Sequence, residues 1–170
     1  NALLRGILYA DAINTVSPTH AVEVLTPEYA EGLEDVLQKV RKKLTGILNG
    51  IDTDTFDPAT DPLIKKTFTK KTFPTHRKEN KKDLQRSFSL PDDPRRPLLA
   101  TTGRLSAQKG WDLLLEVLPH LFSNRLDIQL VVLGGGEDRY REKLQLFHEK
   151  YPHQLGLHLK SDFELSHKLF

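Results

Sequence analysis

Leu98-Leu99-Ala100-Thr101-Thr102-Gly103-Arg104-Leu105-Ser106-Ala107-Gln108-Lys109-Gly110-Trp111 is the stretch that decides the fold. Leu98 to Thr102 is a short uncharged run that reads as a strand, and Trp111 to Phe122 has the length and apolar content of a helix. The alternation repeats downstream. Ile128–Leu133 reads as a strand, Asp138–Lys150 as a helix, Leu155–Leu159 as a strand and Phe163–Phe170 as the start of another helix. Short, nearly all-apolar strands separated by helices of about three turns describe a parallel sheet covered on both faces. Such units cross over right-handed, which places the chain in the doubly wound α/β class. Trp111, Leu114, Val117, Leu118 and Leu121 are expected to form the core side of the first helix. Three strands are fewer than this class normally has, so the expectation is a chain cut within the domain.

In doubly wound sheets ligands bind beyond the carboxyl ends of the strands. The loop there, Gly103 to Gly110, carries two cations five residues apart. Gly103 permits a tight exit from the strand, and Gly110 a close backbone approach as the helix starts. Arg104 offers a planar fork for phosphate oxygens and Lys109 a compact point charge. The start of the following helix adds free N–H groups and a partial positive charge. These parts suit a diphosphate; two solvated cations on a surface loop are the competing reading.

Upstream, Ala12–Val16 reads as a short buried strand ending at Ser17-Pro18. Ser17 is placed to cap a helix whose first residue is Pro18, where a missing N–H costs nothing. Asp35–Lys43 has amphipathic helical spacing, with Val36, Leu37 and Val40 on one side. Leu44–Ile51 reads as a second strand stopped by the turn signal Asn49-Gly50. Asp52–Pro74, with three prolines among many threonines, reads as a connector, and Lys78–Phe88 as a helix.

Composition narrows the function classes. The chain has no cysteine, which excludes disulfides and thiolate metal sites and fits a reducing compartment. No stretch approaches the roughly 20 apolar residues of a membrane helix, so no membrane partner is expected. The chain starts at Asn1 and has no methionine, which reads as a segment of a longer protein. Lys65 to Arg86 holds nine basic residues against Glu79 and Asp83, which raises a basic nucleic-acid-binding module as an alternative. Against it, Phe68, Phe73 and Phe88 form no stacking motif and the net charge is only +2, so a solvated helix face is expected and no nucleic-acid partner. His153 with His158, and Glu164 with His167, could each be half a metal site, but no third ligand follows; surface histidines are expected, with no metal and no cofactor.

Several motifs now carry a resemblance. Gly103-Arg104-Leu105-Ser106-Ala107-Gln108-Lys109-Gly110-Trp111-Asp112-Leu113-Leu114 resembles the S-R-L-x-x-Q-K-G-x-D-L-L signature of bacterial glycogen synthases and plant starch synthases. Tyr9-Ala10-Asp11 with Thr15-Val16-Ser17-Pro18-Thr19, Thr26-Pro27-Glu28-Tyr29, Gly46-Ile47-Leu48-Asn49-Gly50-Ile51-Asp52, Asn80-Lys81 with Leu84-Gln85, and Val131-Val132-Leu133-Gly134-Gly135-Gly136 follow in the family's order. The resemblance spans nearly the whole chain.

It implies part of a GT-B fold, in which two Rossmann-like domains face a cleft. Residues 1–52 would end the N-terminal domain, 53–96 would be a linker and basic helix, and 97–170 would be the first half of the C-terminal nucleotide-sugar-binding domain. The family transfers glucose from a nucleotide sugar, usually ADP-glucose, to the non-reducing end of an α-1,4-glucan acceptor, with retention of configuration and without metal. Arg104 and Lys109 fall on its two diphosphate positions, with the role of stabilising charge on the departing ADP. Asn49 falls on its N-G-I-D turn near the cleft; a residue tolerating a left-handed turn before Gly50 is the other reading. Gly134–Gly136 reads as a tight strand-to-helix turn rather than a phosphate cradle. Lys160-Ser161 stands where the family usually has Gly-Tyr, so Ser161 keeps the adenine-pocket position without an aromatic face. The family's K-x-G-G-L loop and E-x-x-G segment are absent, and the expectation is a piece that does not catalyse alone. A bacterial cytoplasm or a plastid stroma is the expected location. A GT-B transferase with another acceptor is the remaining alternative.

Overall fold

The computed structural model describes residues 2–123 and 127–170, and the chain divides into two compact units, Asn1–Asp52 and Thr53–Phe170. In the first unit, helix α1 (Ala2–Tyr9), which the sequence did not announce, precedes strand β1 (Ile13–Val16), helices α2 (Pro18–Glu23) and α3 (Glu34–Lys39), and strand β2 (Leu44–Ile47). β1 and β2 pair in parallel, Ile13 opposite Leu44. Ser17 caps α2 as expected: its hydroxyl accepts from the Thr19 N–H at 3.2 Å, with Pro18 in the first turn.

Two expectations fail in this unit. The strands are not buried: both alternate between half-buried and exposed residues, with Val16 and Ile47 more than half exposed. Among the described residues of this unit only Ala30 and Leu37 are buried hydrophobics. Neither Asn49 nor Gly50 has the positive φ of a left-handed turn, and β2 has already ended at Ile47. A two-stranded sheet with so little apolar burial gains too little to hold its ladder closed. Amides of β1 and β2 are therefore expected to exchange with deuterium at least about 100-fold faster than those of the central strand of the second unit. Equal protection in both sheets would refute this.

The second unit holds α4 (Phe73–Ser87), β3 (Leu98–Thr102), α5 (Trp111–Ser123), β4 (Gln129–Leu133), α6 (Asp138–Lys150), β5 (Leu155–His158) and α7 (Phe163–Leu169). The sheet is all parallel, in the order β3-β4-β5. β4 is buried along its whole length, and its side chains alternate between two cores. Leu130 and Val132 join Leu105, Trp111, Leu115, Leu118, Phe122, Tyr140 and Leu144 of the α5–α6 layer. Val131 and Leu133 join Leu84, Phe88, Leu90 and Leu165 of the α4–α7 layer. The sheet is thus covered on both faces, as uninterrupted apolar strands require. On α5 the buried stripe is Trp111, Leu115, Leu118 and Phe122, at helical spacing; Val117 lies off it, 46% exposed, contrary to expectation.

The segment 53–96 is not a free linker; it belongs to the second unit. Helix α4 begins five residues earlier than expected and forms one of the layers on the sheet. The Asn80-Lys81…Leu84-Gln85 motif explains why. The Asn80 carboxamide accepts from Lys66 N–H at 2.7 Å and donates to Lys66 C=O at 2.8 Å. Lys81 donates to the carbonyls of Pro94 and Arg96. Leu84 is core, and buried Gln85 donates to Asp93 C=O and to the Gln129 carboxamide. Arg86 forks onto Asp92 and holds that carboxyl below its ordinary value. Part of the basic stretch is therefore tied into the fold of this segment, Lys81 through two carbonyls and Arg86, still exposed, through Asp92.

His167 is a second correction. It is buried, bonded through Nδ1 to buried Asp61 at 2.7 Å and stacked on Phe56 at 4.6 Å. A carboxylate 106 positions away in sequence makes it an anchor for the 53–62 region, not a surface histidine. Its ring Nε2 has no hydrogen-bond partner among the described residues.

Candidate functional site

The β3–β4 ladder does not stop where the strands do. Gly103 N–H donates to Leu133 C=O at 3.0 Å, Leu105 N–H to Gly135 C=O at 2.9 Å, and Glu137 N–H to Leu105 C=O at 3.0 Å. Leu105 and Gly136 form a further parallel bridge. In extended backbone, neighbouring side chains point to opposite sides. Leu105 is fully buried, and Arg104 beside it is exposed. The fold thus aims the guanidinium outward by burying its neighbour.

Lys109 closes a single 3-10 turn, Ala107–Lys109, and is also exposed. Gly110 ends that turn at φ 74 in the left-handed region, and Leu114 N–H then bonds to Gly110 C=O as α5 begins. A Cβ on Gly110 would meet nothing within 4 Å, so the glycine serves its positive φ and not the close approach expected. Neither Arg104 nor Lys109 is engaged by a hydrogen bond or ion pair of its side chain among the described residues. Both cations therefore stand free on one loop, ahead of a helix start whose first N–H groups have no intrahelical acceptor.

The neighbouring loops meet at the same end of the sheet. Gly134 N–H bonds to His158 C=O at 2.9 Å, and Gly135 lies against Leu159 and Lys160. Ser161, exposed, follows in the β5–α7 loop, so Arg104, Lys109 and Ser161 share the carboxyl edge. Asn49 is exposed in the first unit. Glycines 134 and 136 have a packing role: a Cβ would fall 1.9 Å from Gly103 O and 2.2 Å from Leu105 O respectively. Gly134–Gly136 is the wall that lets the Arg104 loop close onto β4.

The helix starts behind the loop are braced. Tyr140 OH donates to the Asp112 carboxylate at 2.8 Å; burial, and then that bond, raise the phenol above its ordinary value. Trp111, buried, donates from Nε1 to Arg104 C=O at 3.2 Å. Periodicity marked Trp111 as core; only its place directly after Gly110 hinted at the loop.

A cavity of about 550 Å³ lies elsewhere, lined by residues of α4, β3 and α7, including Phe73, Leu99 and His167, and by Phe68 of the segment before α4. Its walls are largely apolar. Of its cations, Lys81 is engaged by two carbonyls, Lys168 by Asp83 at 2.7 Å and Arg77 by the face of the Phe73 ring at 5.1 Å, which leaves Lys78. The strand-end loop is the better anion site because its two free cations stand ahead of a helix start, whereas the walls of this cavity are largely apolar. Among the described residues no group of three or more His, Cys, Asp or Glu gathers, and no helix is long and apolar enough to cross a membrane.

Residues 82–168, just over half the chain, match the family described as glycosyl transferases group 1. The chain belongs to this glycosyltransferase family. Residues 1–39 of the glycosyltransferase chain match a second description, the starch synthase catalytic domain. It is 45% identical to glycogen synthase 2 of Nitrosococcus oceani over 95% of its length and 32% of that protein's. It is 40% identical to glycogen synthase of Rhodopirellula baltica, over 99% of its length and 33% of that protein's. The chain thus spans about a third of the curated relatives it matches. Among solved structures it resembles the catalytic domain of starch synthase IV from Arabidopsis thaliana bound to ADP and acarbose, with TM-score 0.88 and 35% identity over 99% of this chain and 34% of that one. The fold is that of part of a GT-B glycosyltransferase.

Proposed function

We propose that this chain carries the donor-diphosphate site of a retaining glucosyltransferase that moves glucose from ADP-glucose to the non-reducing end of an α-1,4-glucan. The observation that carries the reading is Arg104, aimed outward between two ladder bonds, on one loop with free Lys109 and ahead of α5. As the bond between the anomeric carbon and the diphosphate oxygen breaks, negative charge grows on the ADP. A guanidinium and an ammonium already in place stabilise that charge more than they stabilise the intact donor, which is what lowers a barrier. The acceptor hydroxyl oxygen takes the glucosyl group as the bond to the diphosphate oxygen breaks, and its proton passes to that departing oxygen, leaving ADP and the extended glucan. Residues 97–170 serve as the nucleotide-sugar side, with 53–96 as its supporting layer, and residues 1–52, Asn49 among them, belong to the N-terminal domain of the whole enzyme. Ser161 occupies the position beside the adenine, so binding rests more on the diphosphate than on stacking. A bacterial cytoplasm or a plastid stroma is the setting proposed with it.

Addition of ADP to this chain is expected to shift amide resonances around Arg104 and Lys109 first, and Arg104→Ala to remove those shifts. Shifts confined to Lys65–Arg86 would instead support the basic stretch as a polyanion site, and shifts unaffected by the substitution would overturn the assignment.

A further inference from the structure

The loop's two cations have a single mechanical link in common. Arg104 sits at its start and Lys109-Gly110 at its end, and the indole of Trp111 reaches back across it to Arg104 C=O. The backbone on either side of that carbonyl is already fixed by the bonds of Gly103 N–H and Leu105 N–H to β4. The ring is 3% exposed and belongs to the core with Leu105, Leu115 and Leu118, so it cannot swing. Its own helix turn is braced in turn, through Asp112 and Tyr140, to α6.

We infer that Trp111 is a positioning residue for the diphosphate site: its indole N–H sets the distance between Arg104 and the Lys109–α5 end of the loop. This inference rests on the donor-site reading above. It extends that reading to a residue which touches no ligand. A phenylalanine keeps an aromatic ring in the core, though a smaller one, and leaves Arg104 C=O without its indole donor. The ladder bonds keep Arg104 where it is, so what is lost is its tie to the start of α5, and the Lys109–Gly110 end of the loop shifts relative to the guanidinium. The geometry matters to the diphosphate, which both cations must reach, and not to the base.

Trp111 is the only tryptophan of the chain, so its emission and its indole N–H resonance report on this loop without a label. In the unaltered chain, ADP is expected to change both signals, saturating at the concentration where the Arg104 amide saturates. Trp111→Phe is expected to weaken ADP binding by about 3- to 10-fold, read from amide shifts, with adenosine binding unchanged. A purely structural ring would lower the unfolding midpoint and leave the ADP-to-adenosine ratio alone. If ADP shifts Arg104 while the indole signals stay flat and Trp111→Phe binds ADP normally, the inference fails and the donor site stands. If ADP perturbs no residue of the loop in the unaltered chain, the donor-site reading fails and takes this one with it. Should Trp111→Phe not fold, the emission and indole titrations of the unaltered chain decide the matter by themselves.

Discussion

Arg104→Ala is expected to weaken ADP binding by roughly 10- to 100-fold, the range for losing a charge-assisted bond to phosphate. Stability is expected to stay within about 0.5 kcal/mol, because the side chain is exposed and engaged by no other. Arg104→Lys restores charge without the fork and is expected to recover only part of the affinity. In a longer form of the protein competent for transfer, the same loss should lower glucosyl transfer by on the order of 10²- to 10³-fold. Titration calorimetry with ADP alongside thermal unfolding checks the first two statements. Unchanged ADP affinity in Arg104→Ala would remove the chemical basis of the site.

The second large effect is on the wall behind the loop. Gly134 has φ 144, a conformation closed to L side chains, and a Cβ there would stand 1.9 Å from the Gly103 carbonyl oxygen. Gly134→Ala is therefore expected to destabilise the second unit by at least about 3 kcal/mol, combining strain with a backbone collision that no rotamer relieves. Gly135→Ala is the control. Its Cβ would sit 3.5 Å from Leu159 O, an ordinary contact, and its φ is not in the left-handed region. A cost of under about 1 kcal/mol is expected there. Urea unfolding of both variants makes the comparison, and equal midpoints would show that the loop does not depend on its approach to β4.

The reading of the strands and helices after Pro97 survives in the structure because each element there is decided by nearby residues. Asp138–Lys150 folds as a helix with the expected ends, and β3, β4 and β5 differ from expectation by at most a residue at one end. The parallel pairing follows from the length of the crossovers, which no hairpin turn could replace. The loop between Gly103 and Gly110 was legible for the same reason: its chemistry is a matter of residue types at short spacing.

Among the readings that failed, three did so where burial depends on distant chain. β1 has apolar residues, yet with little of this unit packed against them Ile13–Val16 stays half exposed. Val117 is apolar and helical but points off the stripe that meets the sheet, which composition alone does not reveal. His167 looked like a surface residue because its partner Asp61 lies in a stretch with no periodic signal.

From the sequence alone came the order of the elements after Pro97, the α/β class and the position of two cations where a strand gives way to a helix, since periodicity and turn chemistry act over a few residues. Only the tertiary structure decided which cations are free. Lys81, Arg86 and Lys168 look no different from Arg104 and Lys109 in one-letter code, yet the first three are tied to carbonyls or carboxylates and the last two are not. The reason is that a charged side chain's role is set by what folding brings within about 3 Å of it, and those neighbours come from segments far apart along the chain.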